Sequence, residues 1–238
     1  MKVIAVIPAR YESSRFPGKP LTDIAGKPMI QRIYEQVSLC RDIDDVLIAT
    51  DDGRIFDAAV SFGARAVMTS PECTSGTDRV AQASRDLPVG AVINVQGDQV
   101  VLDRVALSEV ARELKSGCPM VTVATPASPD EYGDPNCVKV VCDLRGYALY
   151  FSRAPIPSSR SGLSIQPLKH IGIYGYAMDT LQSFTCLEPT PLEVTESLEQ
   201  LRALENGIPI KVIIASGEYL EINTPEDKER VLASWRES

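Results

Sequence analysis

Three cations stand close together in PARYESSRFPGKPL, residues 8–21: Arg10, Arg15 and Lys19. A polyphosphate calls for several fixed cations, because each uncompensated oxygen charge is costly to desolvate. Arginine offers planar forked donors, lysine a compact point charge. Gly18 lets the backbone approach a ligand, Pro17 and Pro20 restrict the segment, and Ser14 adds a hydroxyl. The spacing is neither GxxxxGK(S/T) nor GxGxxG, so both of those phosphate loops are excluded. A second reactive group lies in NVQGDQVVL, residues 94–102, where the carboxylate of Asp98 follows an apolar run ending at Gly97. An acid at such a sheet edge suits a divalent cation, which takes one or two carboxylates together with phosphate oxygens.

Elements able to position these groups alternate along the chain. Short apolar runs at 3–7, 45–50, 64–69, 91–96 and 120–125 predict strands. Between them, 28–40, 54–63, 76–87 and 106–117 carry helical periodicity, with Gly63 and Gly117 as stops. Short connections between alternating strands and helices predict an α/β fold: one doubly wound, mostly parallel sheet in a single domain spanning 1–238. Beyond 137 the pattern changes to a hairpin over 138–157 turning at Asp143–Gly146, a strand at 170–179 and a helix at 192–207. A strand at 210–215 and a helix at 224–237 complete the chain. Ligands of open α/β sheets sit outside the carboxyl ends of the parallel strands. That rule gathers 8–20, 51–53, 70–77 and 97–103 on one rim.

The 238 residues are 44% hydrophobic and 24% charged, ordinary for a globular enzyme. A net charge of −8 argues against a nucleic-acid surface, although a local basic pocket can still hold a small anion. The six cysteines show neither CxxC nor zinc-finger spacing and read as thiols of a reducing compartment. A strand beginning at once in MKVIAVIPAR leaves no room for a signal peptide, and no apolar run approaches the ~20 residues of a membrane span. The expectation is a cytoplasmic protein without membrane contact.

PARYESSRFPGKPL followed by GKPMI resembles the amino-terminal signature of the CMP-sugar synthetases, a cytidylyltransferase family, and most of all its 3-deoxy-manno-octulosonate (Kdo) branch. Further similar segments run in order along the chain: ATDD, SGTDR, NVQGD, YALYFSRAPIP, KHIGIYGY, LEQLRALENG and TPED. The resemblance implies a nucleotide-sugar-transferase fold, a homodimer joined partly through an arm at 147–167, and transfer of CMP from CTP to a small acidic acceptor with release of pyrophosphate. It implies that Arg10, Arg15, Lys19 and Asp98 are the catalytic set. The nucleotide would also meet Pro8, Ala9, Ser14, Thr74, Ser75, Gly76 and Thr77. The acidic acceptor would meet Arg79, Gln96, Arg153, His170, Glu199 and Gln200. Tyr174 and Tyr176 could equally be core.

Two departures concern the metal. The family holds Mg²⁺ between the Gly-Asp carboxylate, here Asp98, and an aspartate in a C-terminal Asp-Thr-Pro-Glu-Asp run, whereas this chain reads NTPED with Asn223 at that position. Asn keeps the oxygen and loses the charge. The family continues Gly-Asp with Glu-Pro; this chain has Gln99 and Val100. The expected activity is cytidylyl transfer to Kdo or a similar 2-keto sugar acid. Two alternatives stand beside it: cytidylylation of a phosphonate such as phosphonoformate, and a CTP-binding homologue without turnover.

Overall fold

The computed structural model describes residues 1–12, 16–160, 162, 165–217 and 219–236. β1 (Val3–Ala9) is buried throughout. A 3-10 turn at Lys19–Leu21 and a minimal hairpin, β2 (Asp23–Ile24) with β3 (Lys27–Pro28), lead into α1 (Met29–Ser38). Next come β4 (Asp45–Thr50), α2 (Gly53–Ser61), β5 (Arg65–Met68), α3 (Gly76–Ser84) and β6 (Ala91–Asn94). β7 (Gln99–Val101), α4 (Arg104–Lys115), β8 (Met120–Pro126), α5 (Pro129–Gly133), β9 (Lys139–Cys142) and β10 (Ala148–Ser152) follow. The last part holds β11 (Leu168–Ala177), α6 (Met178–Phe184), α7 (Pro191–Glu196), α8 (Gln200–Glu205), β12 (Ile210–Ile214), β13 (Leu220–Glu221) and α9 (Pro225–Arg236).

Among the described residues nine strands form one sheet. β1 lies parallel to β4 and β6, β4 to β5, and β8 to β12. β11 runs antiparallel between β6 and β8, and its first residues also pair with β9. Strand alternation divides the interior into two layers. Val3, Ala5 and Ile7 pack with Ile30 and Ile33 of α1 and Leu107 and Val110 of α4, whereas Ile4 and Val6 pack with Val80 of α3 and Leu181 and Phe184 of α6. Helices thus cover both faces, as the alternating pattern requires, and the carboxyl ends of β1, β4 and β6 open on one rim. All six cysteines are free thiols, Cys40 and Cys118 being buried. No helix among the described residues is long and apolar enough to cross a membrane.

Three sequence expectations change. The helix expected over 192–207 is two helices, broken where Ser197 takes left-handed backbone angles, φ 53 and ψ 51. Tertiary ties explain the break: the Glu196 carboxylate accepts from Ser152 Oγ at 2.6 Å and from Arg153 N at 3.0 Å. The buried face continues across the break, with Leu198 and Leu201 both buried. The arm expected over 147–167 begins as sheet, since β10 pairs with β9 and Tyr147 bridges to Lys211. Only the part beyond Ser152 is free of strand and helix among the described residues. Finally β7 and β13, unforeseen in the sequence, pair as a two-stranded ribbon above the rim.

Candidate active site

The rim is assembled by one close crossing. After β6 the chain passes over the end of β1, with Val95 N donating to Val6 O at 3.1 Å. A Cβ on Gly97 would stand 2.6 Å from Pro8 O, so only glycine permits this approach. The crossing delivers Asp98 to the loop that leaves β1. That loop is closed by Gly18, whose N–H donates to Tyr11 O at 2.8 Å and whose φ of 72° suits glycine. The Arg54 guanidinium lies 3.2 Å above the Tyr11 ring centre and is forked onto Asp52. Lys19 starts the following 3-10 turn, and its Nζ meets Asp98 Oδ2 at 3.0 Å and Asn223 Oδ1 at 3.4 Å. Arg10 is exposed at the same strand end, with Pro8 and Ala9 buried behind it. Ser14 and Arg15 lie outside the described residues.

Asn223 arrives by way of the ribbon. Ile222 N donates to Asp98 O at 3.0 Å, which ties β13 to the Gly-Asp segment. The Asp227 carboxylate accepts from Asn223 N at 3.0 Å and Thr224 N at 2.9 Å, capping α9 as its first-turn position predicts. Beside them, Glu221 accepts from Gln99 Nε2 and from Asn223 Nδ2, the latter at 3.3 Å. Its carboxyl is raised above the usual range, first by desolvation and then by the neighbouring Asp98 charge. The residue is exposed on its open side, while its carboxyl lies in a cleft crowded by protein.

The start of α3 forms the third wall. Ser75 and Asp78 make a capping box, and Thr74 Oγ1 also donates to Asp78 at 2.6 Å, while the Ser75 hydroxyl reaches Glu199 as well. Gly76 faces the Gln96 amide, 3.3 Å from where a Cβ would stand. Thr77 Oγ1 donates to Glu199 Oε2 at 2.6 Å; burial raises the Glu199 carboxyl, and that hydroxyl opposes the rise. Gln96, Thr77 and Glu199 are therefore brought together beside Pro8.

Other expected acceptor residues lie elsewhere. Arg79 is fully buried, held by Asp51 Oδ2 at 2.6 Å and by Thr69 Oγ1, which leaves it a positioning role inside α3. The Arg153 guanidinium donates to the carbonyls of Glu196, Pro135 and Ser197, at 2.8, 3.2 and 3.3 Å, which uses three of its five N–H groups. Gln200 is buried at the start of α8, with no partner for its Nε2. Tyr174 and Tyr176 are core.

A cleft of about 850 Å³ opens between β11, α5 and the ribbon; Glu131, Lys169, His170, Glu221 and Arg230 are among its lining residues. Lys169 is paired with Glu131 and Arg230 with Asp227. Lys169 opens the KHIGIYGY segment, whereas Glu131, Glu221 and Arg230 carry no motif in the sequence, so topology alone reveals those three. The His170 ring borders the cleft while packing between Phe151 and Tyr174, at 5.1 and 5.2 Å. Thr122 Oγ1 lies 2.8 Å from Ile173 O and 2.9 Å from His170 Nε2, so the ring is held by a hydrogen bond at Nε2. Desolvation lowers this imidazole to about 3.

Neutral His170 has a thermodynamic consequence. The unfolded chain binds a proton at about 6.5, whereas the folded chain resists it. The stabilising contribution is complete above the unfolded value and is lost as pH falls from about 6.5 toward 3. Urea midpoints measured from pH 7 to 4 should fall by more in the wild type than in His170→Gln; equal slopes would place the titration elsewhere.

Residues 4–213 match the cytidylyltransferase family. The 3-deoxy-manno-octulosonate cytidylyltransferase of Syntrophobacter fumaroxidans is 47% identical over 240 residues, covering 98% of this chain and 96% of that protein. The same enzyme of Desulfatibacillum aliphaticivorans is 48% identical, covering 98% of each. Among solved structures, a CMP:2-keto-3-deoxy-manno-octonic acid synthetase complexed with CTP superposes with a TM-score of 0.96 at 39% identity, covering 100% of this chain and 99% of that one. A putative glucose-1-phosphate thymidylyltransferase of Bacillus anthracis, at 16% identity and a TM-score of 0.72 over 99% of this chain and 96% of its own, shares the fold.

Proposed function

The chain belongs to the cytidylyltransferase family, and from that premise we propose that it transfers CMP from CTP to Kdo, releasing pyrophosphate. The anomeric hydroxyl oxygen of the sugar bonds to the α-phosphorus as the bond to the bridging oxygen breaks, the pyrophosphate carries that electron pair away, and the hydroxyl proton passes to solvent. Positioning and charge neutralisation supply most of the catalysis in such substitutions. Arg10, Arg15 and Lys19 serve the triphosphate. Backbone groups at Pro8, Ala9 and 74–77 serve the base. The acceptor enters by the cleft that His170 borders, toward Gln96 and Glu199 beside Pro8. His170 is a hydrogen-bonding group there and takes no acid–base part, being neutral at working pH.

The observation that carries this reading is the convergence of Lys19, Asp98 and Asn223 at the end of β1. The same convergence fits Mg²⁺: two oxygen ligands already face one cation, the Lys19 ammonium. Among the described residues no group of three or more His, Cys, Asp or Glu side chains is poised for a metal. Asp98 and Asn223 would therefore hold the ion with phosphate oxygens completing its shell. When bound, it supplies electrostatic neutralisation of the reacting phosphates. We place the protein in the cytoplasm, as a homodimer joined through the arm at 147–167, where Leu149 and Ile165 are exposed.

Pyrophosphate release from CTP, with Mg²⁺, against Kdo, its 8-amino analogue, a sialic acid and phosphonoformate tests the assignment. Kdo should be turned over with at least about tenfold higher kcat/KM than any other, a discrimination of ~1.4 kcal/mol. Faster turnover of phosphonoformate overturns the acceptor. CTP binding without release from any acceptor overturns catalysis.

A further inference from the structure

Glu221 stands in β13 directly opposite Gln99 in β7, so the two side chains share one face of the ribbon. Contacts run from Glu221 Oε2 to Asn223 Nδ2 at 3.3 Å, from Asn223 Oδ1 to Lys19 Nζ at 3.4 Å, and from that ammonium to Asp98 Oδ2 at 3.0 Å. Two carboxylates thus end a single chain of contacts that contains one cation. That cation pairs with Asp98; among the described residues no ion pair reaches Glu221, whose partners are the amides of Gln99 and Asn223.

A second feature points at a missing ligand. Gln99 is fully buried, its Nε2 donates to Glu221, and its Oε1 has no partner at all. A buried amide oxygen without a hydrogen or a cation is uncommon and costs free energy. It belongs to the same amide that touches the carboxylate, so the unused lone pairs lie beside the unpaired charge.

Lys19 cannot neutralise everything around it. Once a triphosphate draws its ammonium away, Asp98 and Glu221 are left as neighbouring like charges in a cleft, each disfavouring the other. A hard divalent cation relieves both, using oxygen donors of the kind it prefers. We propose that Glu221 is a carboxylate ligand of the divalent-cation site, acting with Asp98 and supplying from β13 the negative charge that the Asn223 side chain lacks. The proposal rests on the cytidylyl-transfer reading for the triphosphate that displaces Lys19. It also gives the neutral residue at 223 a physical rationale: the charge stands two positions earlier, on the same face of the chain.

Mn²⁺ reports on the site without turnover. Free Mn²⁺, followed by electron paramagnetic resonance, is titrated into the full chain with CTP and no acceptor. Glu221→Gln should raise the Mn²⁺ Kd by about tenfold or more, the scale on which residues supporting a metal act. Glu221→Ala should show at least the same loss, and it serves as the readout should the glutamine variant fold poorly. Glu221→Gln combined with Asn223→Asp should return to within about threefold of the wild type, because the charge is restored at the neighbouring position. An unchanged Kd in Glu221→Gln or Glu221→Ala, with wild-type turnover intact, overturns this inference and leaves cytidylyl transfer standing. A wild type that binds CTP but no Mn²⁺ also overturns it. Failure of the wild type to bind CTP overturns the cytidylyl-transfer reading instead.

Discussion

Asp98→Ala should lower kcat by about 1000-fold while CTP binding in the absence of metal persists. Asp98 sits where the chain crosses the end of β1, and its backbone is pinned by Ile222 N. The lost side chain therefore cannot be replaced by a shift of a neighbour. Removing one preorganised electrostatic group from an active site costs about 10²–10³ in kcat, and an anchor for a metal stands at the upper end of that range. Nucleotide binding behaves differently, because Asp98 competes for the Lys19 ammonium. Freed from that 3.0 Å contact, Lys19 is more available to a triphosphate. Calorimetry of CTP in chelator should accordingly show affinity equal to or tighter than wild type, beside pyrophosphate release at the limit of detection. Full activity in the variant removes Asp98 from the mechanism.

The pattern of what was legible follows from the length and independence of each element. β4 was readable to the residue because five buried positions follow one another after Asp45. α1 and α4 were readable because their buried residues recur at helical spacing. The cluster at the rim was half legible. Arg10, Lys19 and Asp98 announce themselves by residue type after a strand, whereas Glu221 stands in a strand of two residues, too short for any periodicity to mark. The ribbon forms only because the Gly97 crossing brings β7 within reach of β13. A break at Ser197 was equally hidden, since the residues that impose it, Ser152 and Arg153, are more than forty positions away. Resemblance carried Arg79 into the acceptor group as part of SGTDR, and there the buried ion pair with Asp51 supplies a different reason for an arginine.

That ion pair carries the largest expected effect on stability. Arg79 has no exposed side-chain surface and cannot shed its proton, so its charge must be met inside the protein. Asp51 meets it at 2.6 Å from the end of β4, and Thr69, just after β5, accepts a second bond, leaving Arg79 Nε without a partner. Asp51→Ala leaves a buried guanidinium uncompensated, a change that costs about 3–5 kcal/mol. For a chain of this size each kcal/mol moves the midpoint by roughly 2–4 °C, so Tm should fall by about 10 °C. Asp51→Asn keeps an acceptor without the charge and should lose less. Adding Arg79→Met to Asp51→Ala should recover most of the loss, because an apolar side chain of similar length needs no counter-charge. Function should follow for a geometric reason. Arg79 lies on the first turn of α3, the helix whose start holds Gly76 against Gln96 and Thr77 against Glu199. Loosening that turn should raise the KM for CTP in Asp51→Ala even at temperatures where the variant is folded. A Tm within about 2 °C of wild type would mean that water, and not Asp51, meets the arginine charge.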